Sequence, residues 1–89
     1  MARVLMYLTA ACPYCQAAQR LLAHKGVAHV ETVRVDLEAG RRAEMVRRAG
    51  SNSVPQIWIG GRHVGGCDEL HALERDGTLD RLLLETERT

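Results

Sequence analysis

The sequence predicts a small α/β domain in which helices pack on a mixed four-stranded sheet. Three observations carry this. The first half runs twice from an extended stretch into a helical one. Gly60-Gly61 separates two short strand-like runs, which is a strong hairpin signal. Beyond Gly65-Gly66 the pattern is helical again.

The elements follow in order. Val4 to Leu8 is apolar and reads as a buried strand, broken at Ala11-Cys12-Pro13. From Pro13 a helix presents Ala17, Leu21 and Leu22 on one face, with Ala18 beside them and Gln16, Gln19 and Arg20 toward water. Proline suits a first helical position because the N–H it lacks has no partner there. Gly26 ends the helix after Lys25. Val30 to Val35 alternates, with Val30, Thr32 and Arg34 opposed to Glu31, Val33 and Val35. Arg41 to Ala49 is a helix whose expected apolar contacts are Ala43, Met45, Val46 and Ala49, and Gly50 stops it. Gln56 to Ile59 and Arg62 to Val64 form the hairpin. A helix runs from Cys67 to about Arg75, Asp76-Gly77 punctuates it, and Thr78 is the expected cap of a last helix through Leu82-Leu83-Leu84. A βαβ unit makes its two strands parallel and a tight hairpin makes its two antiparallel, hence a mixed sheet.

Composition narrows the function. With 89 residues the chain is read as one domain, 1–89, and with 46% hydrophobic residues it is not a disordered one. Phe is absent, so the core rests on Leu, Val, Ile, Ala and Met. Twelve basic and eleven acidic side chains leave a formal charge of +1, with no bulk attraction for nucleic acid or an anionic membrane. No apolar run approaches the roughly 20 residues of a membrane span. Met1-Ala2-Arg3-Val4-Leu5-Met6 is too short an apolar stretch for a secretory signal, so a cytoplasmic location is expected. Three cysteines do not form a paired framework, and in a reducing compartment cysteines are more often catalytic, metal-binding or buried.

Cys12-Pro13-Tyr14-Cys15 lies at a strand-to-helix junction. Cys12 falls at the helix N-terminus, where unpaired N–H groups and the helix dipole favour an anion, and the thiolate is the reactive form of cysteine. Cys15 follows about one helical turn later and deeper. Cys12 is thereby the attacking thiol and Cys15 the resolving one. Two cysteines at this spacing also form half of a zinc or iron–sulfur site. The remaining candidates, Cys67, His24, His29, His63 and His71, supply no second ligand pair at finger spacing, so no metal is expected.

Three segments together resemble the dithiol glutaredoxins of the small bacterial type: Cys12-Pro13-Tyr14-Cys15, Ser53-Val54-Pro55-Gln56-Ile57-Trp58-Ile59 and Gly65-Gly66-Cys67-Asp68-Glu69-Leu70. Their order and separations match over essentially the whole chain. The resemblance implies a thioredoxin-like fold and glutathione-dependent reduction of protein disulfides and glutathione mixed disulfides. Glutathione would serve as a reducing co-substrate, with no tightly bound cofactor and a monomeric chain. Implied partners are disulfide-containing or glutathionylated proteins, ribonucleotide reductase among the candidates, and indirectly glutathione reductase.

The resemblance also assigns a glutathione surface. It implies a cis bond between Val54 and Pro55, with the Val54 backbone pairing with the cysteinyl part of glutathione; a strand-start proline is the plainer reading. Gly66, Cys67 and Asp68 read as a turn and helix start. Free N–H groups at Cys67 and Asp68 can hold the γ-glutamyl carboxylate, as helix N-termini hold anions, and the Asp68 carboxylate can pair with the neighbouring ammonium. Arg42 matches a position whose side chain reaches the glycyl carboxylate, although Arg41, Arg42, Arg47 and Arg48 also read as a solvated helix face. Tyr14 would touch glutathione at the mouth of the site, whereas Tyr7 and Trp58 read as core and the histidines as surface or packing residues. Cys67 reads as a small buried side chain or as a third active-site thiol.

Two departures from the family pattern stand out. Thr9 occupies a position that often carries Lys, which shifts the activation of Cys12 onto its helix N-terminus. Ser53 replaces the usual Thr and keeps the hydroxyl. Two other functions compete: a dimer sharing an iron–sulfur cluster through Cys12 and glutathione, which Pro13-Tyr14 disfavours, and a thioredoxin-like reductant fed by a flavoprotein. Nucleic-acid binding by the arginines lacks an interleaved aromatic platform.

Overall fold

A computed structural model describes residues 2–85; Met1, part of the N-terminal stretch read above, and residues 86–89 lie outside it. The elements are β1 (Val4–Leu8), α1 (Pro13–His24), β2 (Val30–Arg34), α2 (Arg41–Ala49), β3 (Gln56–Ile59), β4 (Arg62–Gly65), α3 (Cys67–Arg75) and α4 (Thr78–Leu84). No helix among the described residues is long and apolar enough to cross a membrane.

The sheet has the order β2-β1-β3-β4. β1 pairs with β2 in parallel, Val4 opposite Val30, and with β3 antiparallel, Val4 opposite Ile59. β3 and β4 are antiparallel, with an irregularity between Ile57 and Trp58. The hairpin closes through Gly60 and Gly61, both at positive φ, as a two-residue turn of the primed kind requires. This is the expected mixed four-stranded sheet, in the α/β, thioredoxin-like arrangement.

Alternation along the central strands divides the core between the two faces of the sheet. Val4, Met6, Leu8, Ile57 and Ile59 pack with Cys15, Ala18 and Leu22 of α1, Cys67 and Leu70 of α3, and Leu79, Leu82 and Leu83 of α4. On the other face Tyr7, Val33, Val35 and Trp58 pack with Met45 of α2. Tyr7 and Trp58 are core residues, as expected, with ring centroids 5.3 Å apart. Lys25, beyond the end of α1, ties the helices together by reaching Glu74 of α3 at 3.0 Å and Asp80 of α4 at 2.8 Å.

Four local expectations are corrected. β2 ends at Arg34, although the amide of Val35 still donates to the carbonyl of Leu8 at 3.0 Å. β4 runs on to Gly65, which pairs with Ile57. Thr78 does not cap α4. It is the first helical residue after Gly77, and its amide donates to the carboxylate of Asp76 at 2.8 Å, an acceptor with longer reach than the hydroxyl. On α2 only Met45 is fully buried and Ala49 half-buried, while Ala43 and Val46 face outward. A nine-residue helix packed on one side only buries a stripe too narrow for all four.

Candidate active site

The β1–α1 junction places Cys12 as the N-cap of α1, in extended conformation, with Pro13 at the first helical position. The Cys12 sulfur accepts from the backbone N–H of Cys15 at 3.2 Å. A serine or aspartate oxygen usually makes this bond at a helix start; here sulfur makes it. The loop leading in is held by Asp36, which accepts from the amide of Ala10 at 3.4 Å and pairs with Arg34 at 2.7 Å. That ion pair holds the Asp36 carboxyl well below the usual carboxylate range.

Cys15 lies one turn further, almost fully buried. Burial, and then the hydrogen bond to Cys12, push its thiol up to about 12. Cys15 therefore stays protonated at neutral pH. All three thiols are free: Cys12, Cys15 and Cys67.

Val54-Pro55 is a cis peptide bond. Pro55 lies just before β3, so it is a strand-start proline and its bond is also the cis one that the resemblance implies. The Val54 carbonyl accepts from the Cys12 thiol at 3.9 Å, which sets this turn directly against the sulfur at the helix start. A cavity of about 260 Å³ opens there, lined by Tyr14, Ser53, Val54, Pro55, Gly66, Cys67, Asp68 and Glu69. Of the residues assigned to the site from the sequence, six thus line this one cavity. Tyr14, 64% exposed, stands at the mouth.

The far wall is the start of α3. Gly66 is its N-cap, and the amide of Gly66 donates to the Glu69 carboxylate at 2.7 Å. Side chains are disfavoured at this approach. A Cβ on Gly66 would come within 3.2 Å of the Pro55 carbonyl, and Gly65 has φ +115° with Glu69 atoms 3.0 Å from where its Cβ would be. The glycine pair lets the helix start close against the Pro55 turn.

Arg42 is placed differently from the expectation, whereas Cys67 is buried, as its plainer reading expects. Arg42 does not line the cavity; its Nη1 donates to the Asn52 carbonyl at 3.0 Å, beside the wall. Cys67 faces inward, with its sulfur 3.4 Å from His71 Nδ1, and burial pushes its thiol up. Ser53 and Glu69 line the cavity without having been assigned to it. The signal for Glu69 was its spacing, three residues after the helix cap, where a carboxylate bonds back to the cap amide. Among the described residues no cluster of three or more His, Cys, Asp or Glu side chains is set to hold a metal ion.

Comparison with known proteins agrees with this geometry. The glutaredoxin family model matches residues 4–64. A glutaredoxin of Pseudomonas aeruginosa is 59% identical over 80 residues, covering 90% of this chain and 94% of that protein. Glutaredoxin 3 of Escherichia coli is 48% identical over 83 residues, covering 93% and 99%. Among solved structures, a buckwheat glutaredoxin–glutathione complex superposes with a TM-score of 0.84 at 30% identity, over 92% of this chain and 76% of that one. The glutaredoxin of Brucella melitensis gives 0.81 at 49% identity, over 93% and 89%.

Proposed function

Because this chain belongs to the glutaredoxin family of thiol–disulfide oxidoreductases, we propose that it takes its electrons from glutathione and reduces protein disulfides and glutathione mixed disulfides. The observation that carries this reading is the cavity between the Val54-Pro55 turn and the start of α3, with Cys12 against its wall. The buckwheat relative, solved as a complex with glutathione, supports it.

In this reading the tripeptide lies along the cavity. The Val54 backbone pairs with its cysteinyl unit, the amides of Cys67 and Asp68 hold the γ-glutamyl carboxylate, and the Asp68 carboxylate meets the ammonium. Gly66 and Pro55 shape the floor, Tyr14 closes the mouth, and Arg42 reaches the glycyl carboxylate.

The chemistry is exchange. The Cys12 thiolate attacks the glutathionyl sulfur of a mixed disulfide, and the partner leaves as a thiolate and takes a proton. A second glutathione thiolate then attacks that glutathionyl sulfur, forming oxidised glutathione and freeing Cys12. With a protein disulfide, Cys12 forms the mixed disulfide. Cys15 gives up its proton, attacks the Cys12 sulfur, and releases the second protein thiol. Two glutathiones reopen the Cys12–Cys15 bond and leave as oxidised glutathione, which a reductase recycles. The enzyme would work as a monomer in the cytoplasm, on disulfide-containing or glutathionylated proteins.

The test uses the Cys15→Ser variant, in which no resolving thiol can displace the intermediate. After incubation with oxidised glutathione, peptide mapping should find one glutathionyl group, on Cys12. An adduct on Cys67 alone, or none, would overturn the assignment.

A further inference from the structure

Gln56 is the one buried polar side chain among the described residues, 4% exposed. It sits at the start of β3, two residues after Val54, and both ends of its amide are engaged. Nε2 donates to the Ser53 carbonyl at 2.9 Å and lies 3.3 Å from the Ser53 hydroxyl. Oε1 faces Nε2 of His63 at 2.8 Å.

These contacts fix each other's chemistry. A backbone carbonyl only accepts, so the NH₂ end of Gln56 must be the end at Ser53. The oxygen end is thereby turned to His63, whose Nε2 must carry hydrogen and donate. His63 lies on β4, and its ring rests tilted against Trp58 with centroids 4.7 Å apart, which holds the ring in place. Without that donor the amide could turn over and set oxygen against oxygen at Ser53.

What this pins is a peptide plane. The Ser53–Val54 bond is trans, because Val54-Pro55 is the only cis bond among the described residues. In a trans peptide the C=O and the following N–H point in opposite directions. Holding the Ser53 carbonyl toward Gln56 therefore holds the Val54 N–H away from it. From the other side Arg42 holds the preceding carbonyl, that of Asn52.

We propose that Gln56 and His63 are positioning residues that orient the Ser53–Val54 peptide so that the Val54 N–H is preset for the cysteinyl unit of glutathione. The proposal rests on the glutathione reading of the cavity. It adds a role for two side chains that do not line the cavity.

Two variants test it in the full chain. His63→Phe keeps a ring for Trp58 but has no donor; Gln56→Leu removes the amide. Each should raise the KM for glutathione by about fivefold, the loss of roughly one hydrogen bond's worth of orientation, with kcat at saturating glutathione unchanged. His63→Gln, which again offers an N–H, should recover most of the loss. KM values within twofold of wild type, or a fall in kcat with KM unchanged, would overturn the proposal. A wild-type measurement stands apart from any folding defect: nitrogen NMR should find neutral His63 protonated at Nε2, and protonation at Nδ1 would also overturn it. If wild type shows no saturable dependence on glutathione at all, the reading of the cavity itself has failed.

Discussion

The amide of Cys15 donates to the sulfur of Cys12 across 3.2 Å. The Cys15 backbone thus points a hydrogen-bond donor at the atom that would carry the charge of a Cys12 thiolate. Position 9 is Thr, so no lysine charge comes from there. The same turn holds the Cys15 sulfur in the core, where its thiol is pushed up to about 12. One helical turn separates the proposed attacking sulfur from the one pushed up by burial.

Labelling should expose that asymmetry. In brief pulses of iodoacetamide on the reduced, folded protein, Cys15 should stay unmodified through pH 9, since its thiol ionises only near 12. Cys67, buried and likewise pushed up, should also lag. Peptide mapping should find Cys12 as the labelled site at neutral pH. Cys15 labelled as fast as Cys12 would contradict the account.

Two single substitutions should separate the two activities. Cys12→Ser removes the nucleophile and should lower both activities by about three orders of magnitude or more. Cys15→Ser should keep reduction of glutathione mixed disulfides and lose reduction of protein disulfides, because only the latter needs an internal resolving thiol. The check is a parallel assay on a glutathionylated peptide and on an intramolecular protein disulfide. Loss of both activities in Cys15→Ser would refute this division.

Arg42 and Asp68 should bear on opposite ends of glutathione. Both are exposed, so each charge pair is screened by water and is worth at most about 1 kcal/mol. Arg42→Ala and Asp68→Ala should each lower kcat/KM for glutathione by about two- to fivefold. The double variant should show roughly the product of the two effects, as expected for separate contacts. An unchanged kcat/KM in Asp68→Ala would count against the proposed ammonium contact.

Acid stability should depend on Tyr7. Its hydroxyl donates to Glu44 and accepts from Arg48 Nη1 at 2.8 Å, and the bond from Tyr7 is the leading cause that holds the Glu44 carboxyl below its ordinary 4.5. A carboxyl lowered in the folded state contributes stability above its unfolded value. That contribution is lost as pH falls through the folded one. Tyr7→Phe should therefore flatten the decline in stability below about pH 4.5, as followed by urea unfolding at pH 7 and pH 3. A decline as steep as that of wild type would remove Tyr7 from this role.

Much of this was legible in the residues because local rules and the fold agree. Pro13 after Cys12, the Gly60-Gly61 turn and the apolar run of β1 each encode their own geometry within a few positions. Thr78 misled because Asp76, two residues earlier, has the longer-reaching acceptor. Ala43 and Val46 misled because helical periodicity does not say how much of a short helix its sheet will cover. Val54, Gly66 and Asp68 were recognised through a resemblance to a family, not through spacing, since their meeting depends on long-range packing of β3 and α3. Gln56 and His63 left no trace in the pattern: their pairing crosses a hairpin and appears only once β3 and β4 are in register.

The most direct test of glutathione-linked exchange at Cys12 is turnover of a disulfide substrate with each electron donor supplied separately. Glutathione with glutathione reductase and NADPH should sustain turnover that vanishes in Cys12→Ser. A thioredoxin reductase with NADPH and no glutathione should sustain none. Turnover from the flavoprotein alone, with none from glutathione, would contradict the account.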